Sequence, residues 1–350
     1  MASQRGSDPD RLVAGRAGEE ERSFELSLRP QRLEDYVGQQ KVKNQLSLAI
    51  AAARERAEPL DHILLYGPPG LGKTTLATII AAELAVPFQG TAGPLLQIKG
   101  DLTAVLTNLR DRQVLFFDEV HRLQPQLEEV LYSALEDYRL DIIIGQGPAA
   151  RTHSLNLKPF TFVAATTRAG LVSAPLRSRF GLILRLDFYE PAELEQILNR
   201  SARLLNVPMR PEGAAVLARR CRGTPRIANR LLRRVRDFAQ VRAAGEITAE
   251  VAAEALALLE VDEFGFDEAD RRLMLALMEK FGGGPVGVNT LAAVLAEEPD
   301  AIEEMYEPYL MQVGFLSRTP RGRVATALAY RHFGLTAPQQ ASAQSGLFPS

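Results

Sequence analysis

The octapeptide Gly67-Pro68-Pro69-Gly70-Leu71-Gly72-Lys73-Thr74 constrains this chain more than any other feature. It satisfies the spacing G-x-x-x-x-G-K-[ST], and it stands between an apolar run at residues 61–66 and a helix-period segment at 74–84. Glycines at these positions let backbone N–H groups close around phosphate oxygens, and the helix N-terminus adds a favourable dipole. In such a loop Lys73 reaches the β- and γ-phosphates and the Thr74 hydroxyl ligates Mg²⁺. The chain has 41 Lys plus Arg, and lysine is the scarce member of that pair. One of those few lysines occupies the position that phosphate chemistry requires.

The surrounding pattern predicts an α/β fold. Apolar runs at 61–66, 113–117, 160–165 and 182–186 alternate with helix-period segments such as 41–58 and 74–84. Buried parallel strands with intervening helices give a doubly wound P-loop sheet, expected over residues 28–189. From residue 190 to 260 the strands disappear. Helices are expected at 191–205, 211–220, 224–242 and 248–259, the last with Thr248 as a favoured N-cap, and together they form a small helical domain. Residues 261–335 read as three helices (268–281, 289–298 and 300–313) followed by strand-like pieces at 314–318 and 323–327, which is the pattern of a winged helix. Residues 1–27 are expected to form a flexible lead-in, and 336–350 a flexible tail.

A second constellation lies about 45 residues beyond the loop, where Val114-Leu115-Phe116-Phe117 runs into Asp118 and Glu119. Burying two carboxylates at a strand end requires compensation. A metal would provide it: Asp118 would hold Mg²⁺ through water, and Glu119 would polarise the water attacking a γ-phosphate. His121 follows two positions later, and the pattern gives it no role. Residues 140–144 and 154–157 flank a stretch rich in Gly and small residues and read as a hairpin, packed on the core or projecting from it.

Charge narrows the partner. The chain carries 43 acidic residues against those 41 basic ones, a formal net charge of −2, which taken whole argues against nucleic acid. The charges are segregated, however. The expected third helix of the winged module carries Asp300, Glu303, Glu304 and Glu307 without a cation, and no acid follows Glu307. Arg318, Arg321 and Arg323 surround the wing turn. This predicts DNA contact by the wing, through backbone or minor groove and indifferent to sequence. Cys221 is the only cysteine and cannot form an internal disulfide, and no apolar stretch approaches the roughly 18 residues of a membrane span. A soluble intracellular protein is expected.

At this point the residues resemble a known family. The P-loop, the Asp118-Glu119 pair, Leu28-Arg29-Pro30, Tyr36-Val37-Gly38-Gln39 and Ser178-Arg179-Phe180 together resemble the AAA+ ATPases. More narrowly, Phe116-Phe117-Asp118-Glu119-Val120-His121, Ala165-Thr166-Thr167-Arg168-Ala169-Gly170, Gly223-Thr224-Pro225-Arg226-Ile227-Ala228-Asn229-Arg230 and Arg318-Thr319-Pro320-Arg321-Gly322-Arg323 are similar to the RuvB family of bacterial Holliday-junction branch-migration motors. The resemblance covers residues 28–334, and the N-terminal lead-in is longer than is usual for the family.

The resemblance implies an ATP- and Mg²⁺-dependent DNA translocase or helicase, a homohexameric ring that acts on Holliday-junction and duplex DNA in recombination and repair. It further implies RuvA as partner, RuvC in the resolving complex, and a bacterial cytoplasmic location, nucleoid-associated during repair. Residue by residue, it places Leu28, Arg29, Tyr36, Gly67, Gly70, Gly72, Lys73, Thr74 and Thr75 at ATP, with Glu136, Asp137, Tyr138 and Tyr189 also near nucleotide. Thr166 becomes the sensor of the γ-phosphate, with Thr167 as the alternative, and Arg226 the sensor of the helical domain. Arg179 becomes the finger that reaches a neighbour's ATP, with Arg177 as competitor; an always-charged planar guanidinium suits phosphate oxygens on which charge is developing. Ile142, Ile144 and Leu155 become an apolar hairpin patch for RuvA. A clamp-loader-like or transcription-regulating AAA+ ATPase shares the nucleotide motifs. The Arg-rich wing and the acidic third helix speak against both.

Overall fold

The computed structural model describes residues 19–92, 98–144 and 151–338, and the lead-in up to residue 18 and the tail from residue 339 lie outside them. It divides into two compact units, Arg29–Tyr189 and Glu190 onward together with the helix that ends at Leu28. That helix, α1 (Glu19–Leu28), opens the described chain and belongs to the second unit.

The first unit contains α2 (Gln40–Arg56), β1 (Ile63–Tyr66), α3 (Lys73–Leu84), β2 (Phe88–Ala92), α4 (Lys99–Thr107), β3 (Val114–Asp118), α5 (Pro125–Glu136), β4 (Arg139–Ile144), β5 (Arg151–Asn156), β6 (Thr161–Thr166), α6 (Ala174–Arg177) and β7 (Leu182–Arg185). Five strands form a parallel sheet in the order β2-β3-β6-β1-β7. Its centre is apolar on both faces, and every residue of β6 is buried, as expected of a parallel sheet covered by helices. Leu64, Leu115, Phe117, Phe160 and Phe162 pack into one core with α4 and α5. His62 ties the layers together: Nδ1 accepts from the Phe162 N–H at 3.0 Å and Nε2 lies 3.0 Å from the Leu135 carbonyl. Burial lowers its pKa, which keeps the ring neutral and leaves one nitrogen to accept and one to donate.

One strand, β2, and one residue, Leu155, depart from the sequence expectation. Strand β2, with the sequence FQGTA, is an additional strand at the sheet's edge. Its residues are only partly buried, and a half-exposed edge strand needs no apolar run to advertise it. β4 and β5 form a separate antiparallel pair in which Leu140 lies opposite Leu155. Leu140 is buried and Leu155 is partly buried against the same core, so Leu155 is a packing residue at the base of the hairpin and not part of an exposed patch. The side chains of Ile142 and Ile144 lie outside the described residues.

The second unit joins two modules. In the first, α7 (Pro191–Leu204), α8 (Pro211–Ala218) and α9 (Pro225–Arg242) each begin with proline at the first turn, where its missing N–H is harmless. α10 (Ala249–Leu258) is capped by Thr248, whose hydroxyl accepts from the Val251 N–H at 3.3 Å. α1 packs on this module. The Leu28 side chain is buried, and its carbonyl accepts from Arg200 at 2.7 Å. Phe24 lies beneath the guanidinium groups of Arg233 and Arg236, and Glu25 pairs with Arg226 at 3.4 Å and Arg230 at 3.7 Å. The expected flexible lead-in is therefore replaced from Glu19 onward by a helix. Its apolar seam is only Phe24 and Leu28, four residues apart, and its other anchor is charge.

The winged module follows with α11 (Glu268–Leu275), which continues as a π-helical turn, and α12 (Val288–Leu295). The expected third helix is α13 (Pro299–Ala301), a π-helical stretch Ile302–Tyr306, and α14 (Glu307–Gln312). β8 (Leu316–Thr319) and β9 (Gly322–Ala325) form the wing, and α15 (Ala327–His332) closes it. Gly322 has φ +136°, and a Cβ there would lie 2.3 Å from the Val286 carbonyl oxygen, so only glycine fits this turn. Arg318 and Arg323 sit directly across the wing from each other. Arg323 is turned inward and buried: Nε lies 2.5 Å from Glu307 Oε1 and Nη2 lies 2.7 Å from Glu303 Oε1. Arg318, more exposed, reaches Glu303 at 3.4 Å, and Arg321 is exposed. The acids of the third helix are thus partly neutralised by the wing, and the expectation of three equivalent outward arginines gives way to two exposed and one internal. Among the described residues no helix is long and apolar enough to cross a membrane.

The two modules are joined by a buried ion pair. Arg222 donates to both oxygens of Asp270 at 2.8 and 3.0 Å, and their side chains are 2% and 0% exposed. The guanidinium also lies 4.8 Å from the Tyr309 ring centre. Burial pushes the Asp270 carboxyl up to about 7, while Arg222 pulls it down. Removing one partner strands the other charge in the interior. Asp270→Ala is therefore expected to cost about 3–5 kcal/mol, read as a large loss of thermal stability. A loss below about 1 kcal/mol, as for an exposed pair, would show that the joint does not depend on the ion pair.

Candidate nucleotide-binding and catalytic site

The site lies at the carboxyl ends of β1, β3 and β6, where an open parallel sheet leaves its crevice. β1 ends at Tyr66 and α3 begins at Lys73, and the intervening loop turns through Gly67 (φ +144°), Gly70 (φ +80°) and Gly72 (φ +97°). A Cβ on Gly67 would lie 2.3 Å from the Leu186 carbonyl oxygen, and one on Gly72 would lie 2.9 Å from the Tyr36 hydroxyl. The loop's middle is braced by two buried phenols. Tyr36 donates to the Leu71 carbonyl at 3.1 Å, and Tyr189 donates to the Tyr36 hydroxyl at 3.0 Å. Burial, with Tyr189 beside it, raises the Tyr36 pKa well above its ordinary value. The Tyr36 hydroxyl therefore stays protonated.

Lys73 is buried, and its ammonium donates to the Gly67 and Pro68 carbonyls at 2.8 and 2.9 Å. A desolvated ammonium needs acceptors. Neutral carbonyls hold it across the mouth of the loop, and phosphate oxygens are stronger partners for the same charge. Thr75, the next residue but one, is buried in the first turn of α3.

The Thr74 hydroxyl lies 3.4 Å from Asp118 Oδ2, and Asp118 Oδ1 accepts from the Glu119 N–H at 3.1 Å. Burial raises the Asp118 pKa, reinforced by Glu119 and opposed by Lys73. Such a carboxylate is short of positive charge. Among the described residues no three His, Cys, Asp or Glu side chains converge to hold a metal. A hydroxyl and one carboxylate do suit Mg²⁺, a hard cation that keeps waters and takes phosphate oxygens as further ligands.

Glu119 follows with φ +48°, bending the chain into a single 3₁₀ turn, Val120–Arg122. Its Oε2 accepts from the Thr167 N–H and hydroxyl, both at 3.2 Å, and lies 3.2 Å from His121 Nδ1. Burial pushes the Glu119 pKa up, but the His121 hydrogen bond, Lys73 and the Thr167 N–H outweigh it and the net shift is downward. Glu119 is thus a held, ionised carboxylate beside the loop, able to accept a proton. Thr166, paired with Tyr66 at the end of β6, is fully buried. Its hydroxyl oxygen accepts from the Arg168 N–H at 3.0 Å and lies 2.9 Å from His121 Nδ1. Sequence reading passed over His121. The spacing Asp118-Glu119-x-His121 carries the signal, because a tight turn after a left-handed residue brings the ring back to the preceding carboxylate.

A second group gathers at the end of α5. Arg179 pairs with Glu136 at 3.0 Å, donates to the Pro175 carbonyl at 2.6 Å and to the Tyr132 carbonyl at 3.3 Å, and stacks on the Tyr132 ring at 4.4 Å. Its competitor Arg177 is exposed and bonds to the Ala169 carbonyl. Asp137 is exposed, and the Tyr138 ring packs edge-on against Phe160. Arg29 is partly exposed. Leu28 and Arg226 belong to the second unit, where Arg226 faces Glu25.

Three family models match consecutive stretches: the Holliday junction DNA helicase RuvB P-loop domain over residues 28–186, the RuvB AAA lid domain over 189–262, and the RuvB C-terminal winged helix domain over 263–334. The chain is 66% identical over 345 residues to the Holliday junction branch migration complex subunit RuvB of Koribacter versatilis (strain Ellin345), covering 99% of this chain and 95% of that one. It is 63% identical over 326 residues to the subunit of the same name from Solibacter usitatus (strain Ellin6076), covering 93% and 95%. Among solved structures, the Thermotoga maritima RuvB Holliday junction branch migration motor is similar with a TM-score of 0.83 at 50% identity, covering 89% of this chain and 100% of that one.

Proposed function

The chain belongs to the RuvB family and is an ATP-driven Holliday-junction branch-migration motor of the AAA+ class, and from that premise we propose how its residues divide the work. The reading rests above all on one observation: an ionised Glu119 and a buried Lys73 flank the phosphate loop in a chain that also carries a winged helix with exposed arginines.

In the proposed cycle, Gly67, Gly70 and Gly72 open backbone N–H groups to the phosphates, Lys73 exchanges its carbonyl partners for phosphate oxygens, and Arg29 and Tyr36 border the adenine, with Leu28, Thr75 and Tyr189 near the nucleotide. Thr74 and Asp118 would hold Mg²⁺, which when bound supplies charge neutralisation on the phosphates. Glu119 takes a proton from the water that attacks the γ-phosphorus in line, and the bond to ADP breaks. Thr166, or Thr167 beside Glu119 as the alternative, donates to the γ-phosphate, and Arg226 is the sensor of the helical module. Arg179, held by its own Glu136 in the single chain, turns outward to a neighbour's ATP in a homohexameric ring. Hydrolysis then depends on assembly. Glu136, Asp137 and Tyr138 would also lie near nucleotide.

On the DNA side, Arg318 and Arg321 meet phosphates of the Holliday junction or its duplex arms directly. Arg323, anchored on Glu303 and Glu307, fixes the wing that carries them. Contacts of this kind ignore sequence, which suits a motor working in recombination and repair. RuvA docks on the hairpin through Ile142 and Ile144, with RuvC joining in the resolving complex, and the setting is the bacterial cytoplasm.

Incubated with a synthetic four-way junction and RuvA, the full chain is expected to separate it into two duplexes only with ATP; no separation under any condition contradicts the reading. In salt titrations of DNA binding, Arg318→Ala and Arg321→Ala should each lower the slope by roughly 0.9. Unchanged slopes would place the DNA elsewhere. Ile142→Asp with Ile144→Asp should abolish RuvA pull-down while basal ATP turnover persists. Retained pull-down would remove the hairpin from that interface.

A further inference from the structure

The segment that carries Arg179 is tied to α5 at two points. On α5, Glu128, Tyr132 and Glu136 are spaced four residues apart, which sets them along one face of the helix. Glu136 and Tyr132 meet Arg179 itself: the first pairs with it at 3.0 Å, and the ring of the second lies 4.4 Å beneath its guanidinium. Glu128 meets the start of the same segment. Its Oε2 accepts from the Ser173 hydroxyl at 2.6 Å and from the Tyr132 hydroxyl at 3.1 Å. Ser173 in turn caps α6, its oxygen accepting from the Leu176 N–H at 3.3 Å.

Glu128 is buried, 8% exposed. A buried carboxyl group is costly unless its oxygens find donors, and an apolar side chain would fill the same space without that need. What the carboxyl group adds is direction. One oxygen takes both hydroxyl hydrogens, so the tip of the Tyr132 ring and the first turn of α6 are fixed to the same point of α5. These are the two surfaces on which Arg179 rests, since its guanidinium lies over the ring and donates to the Pro175 carbonyl of α6 at 2.6 Å. The Glu136 pair is of another kind. The Glu136 side chain is 57% exposed against 16% for Arg179, and an ion pair with so exposed an acid is weak. Arg179 can therefore give up Glu136 for a phosphate while its stem stays where Tyr132 and α6 hold it.

We propose that Glu128 is a positioning residue for the arginine finger, bracing Tyr132 and Ser173 so that Arg179 can leave Glu136 for a neighbour's ATP without losing its aim. This rests on the reading of Arg179 as a finger that acts between subunits. Its consequence is that a defect at Glu128 shows at the neighbour's catalytic site and not at its own.

In the full chain, Glu128→Ala is expected to lower kcat by roughly tenfold to a hundredfold, as a misaimed catalytic group does, with binding of a fluorescent ATP analogue within about twofold. Glu128→Gln keeps an accepting oxygen and should recover most of the loss. Mixing then locates the defect. Combined with Glu119→Gln, whose Arg179 is intact, Glu128→Ala should regain turnover, because its own base now meets a well-aimed finger. Combined with Arg179→Ala it should regain none, since both variants lack that finger. Damage confined to the Glu128→Ala subunit's own site would give the reverse pattern. Should Glu128→Ala fail to fold, Ser173→Ala removes one donor of the same brace and is read in the same two mixtures. An unchanged kcat, Gln no better than Ala, recovery with Arg179→Ala, or none with Glu119→Gln would overturn the proposal. Failure of the underlying reading shows separately, as no recovery when Glu119→Gln is mixed with Arg179→Ala.

Discussion

A buried ammonium at Lys73 and two largely desolvated carboxylates at the end of β3 set the terms for the ATPase unit. Such charges are costly in an apolar interior unless they answer one another. Much of the local structure supplies those answers. Loop carbonyls hold Lys73, Thr74 and the Glu119 N–H hold Asp118, and Thr167 and His121 hold Glu119. Two phenols fix the loop so that these partners stay in place. The balance still leaves Asp118 short of positive charge, and a triphosphate brings more negative charge than Lys73 alone can meet. Arg179 does not make up the difference within its own chain, because its guanidinium is occupied by Glu136, Tyr132 and Pro175. A cation supplied from outside the chain would complete the site, and hydrolysis would then require neighbours.

Charge is handled differently in the second unit, where burial serves to join parts. Arg222 and Asp270 lock the helical and winged modules through a pair closed to water. Two of the acids that made the third helix of the winged module look hostile to DNA, Glu303 and Glu307, are the ones that hold the wing, through Arg323 and Arg318. The formal charge of −2 is therefore silent about nucleic acid. What matters is which cations remain exposed after internal pairing, and these include Arg318 and Arg321.

Much of this was legible in the sequence wherever spacing alone dictates geometry. The P-loop, the strand ending in Asp118-Glu119, the Thr248 cap and the glycine-bearing wing turn each impose a local conformation that few arrangements can satisfy. Strand β2 was not legible, because an edge strand needs no apolar run, nor was α1, whose hold on its module is two apolar residues and a few ion pairs. Arg323 and Leu155 show a further limit. Residue type and spacing mark a charge or an apolar group near a surface, but whether it turns in or out is decided by partners 16 to 20 residues away for Arg323, and for Leu155 by a core assembled from many segments. His121 was hidden for the same reason: one of its partners, Thr166, lies 45 residues on.

The central claim is that each catalytic site is completed by an arginine from another copy of the chain, and mixing two inactive variants tests it directly. Glu119→Gln removes the base but keeps Arg179, whereas Arg179→Ala keeps the base but removes the finger. Each alone should turn over ATP at least about a hundredfold more slowly than the parent chain. Mixed in equal amounts, they should recover a substantial part of the lost turnover, because an intact Glu119 on one subunit then meets an intact Arg179 on its neighbour. A mixture no more active than the separate variants, under conditions where both assemble, would contradict the account.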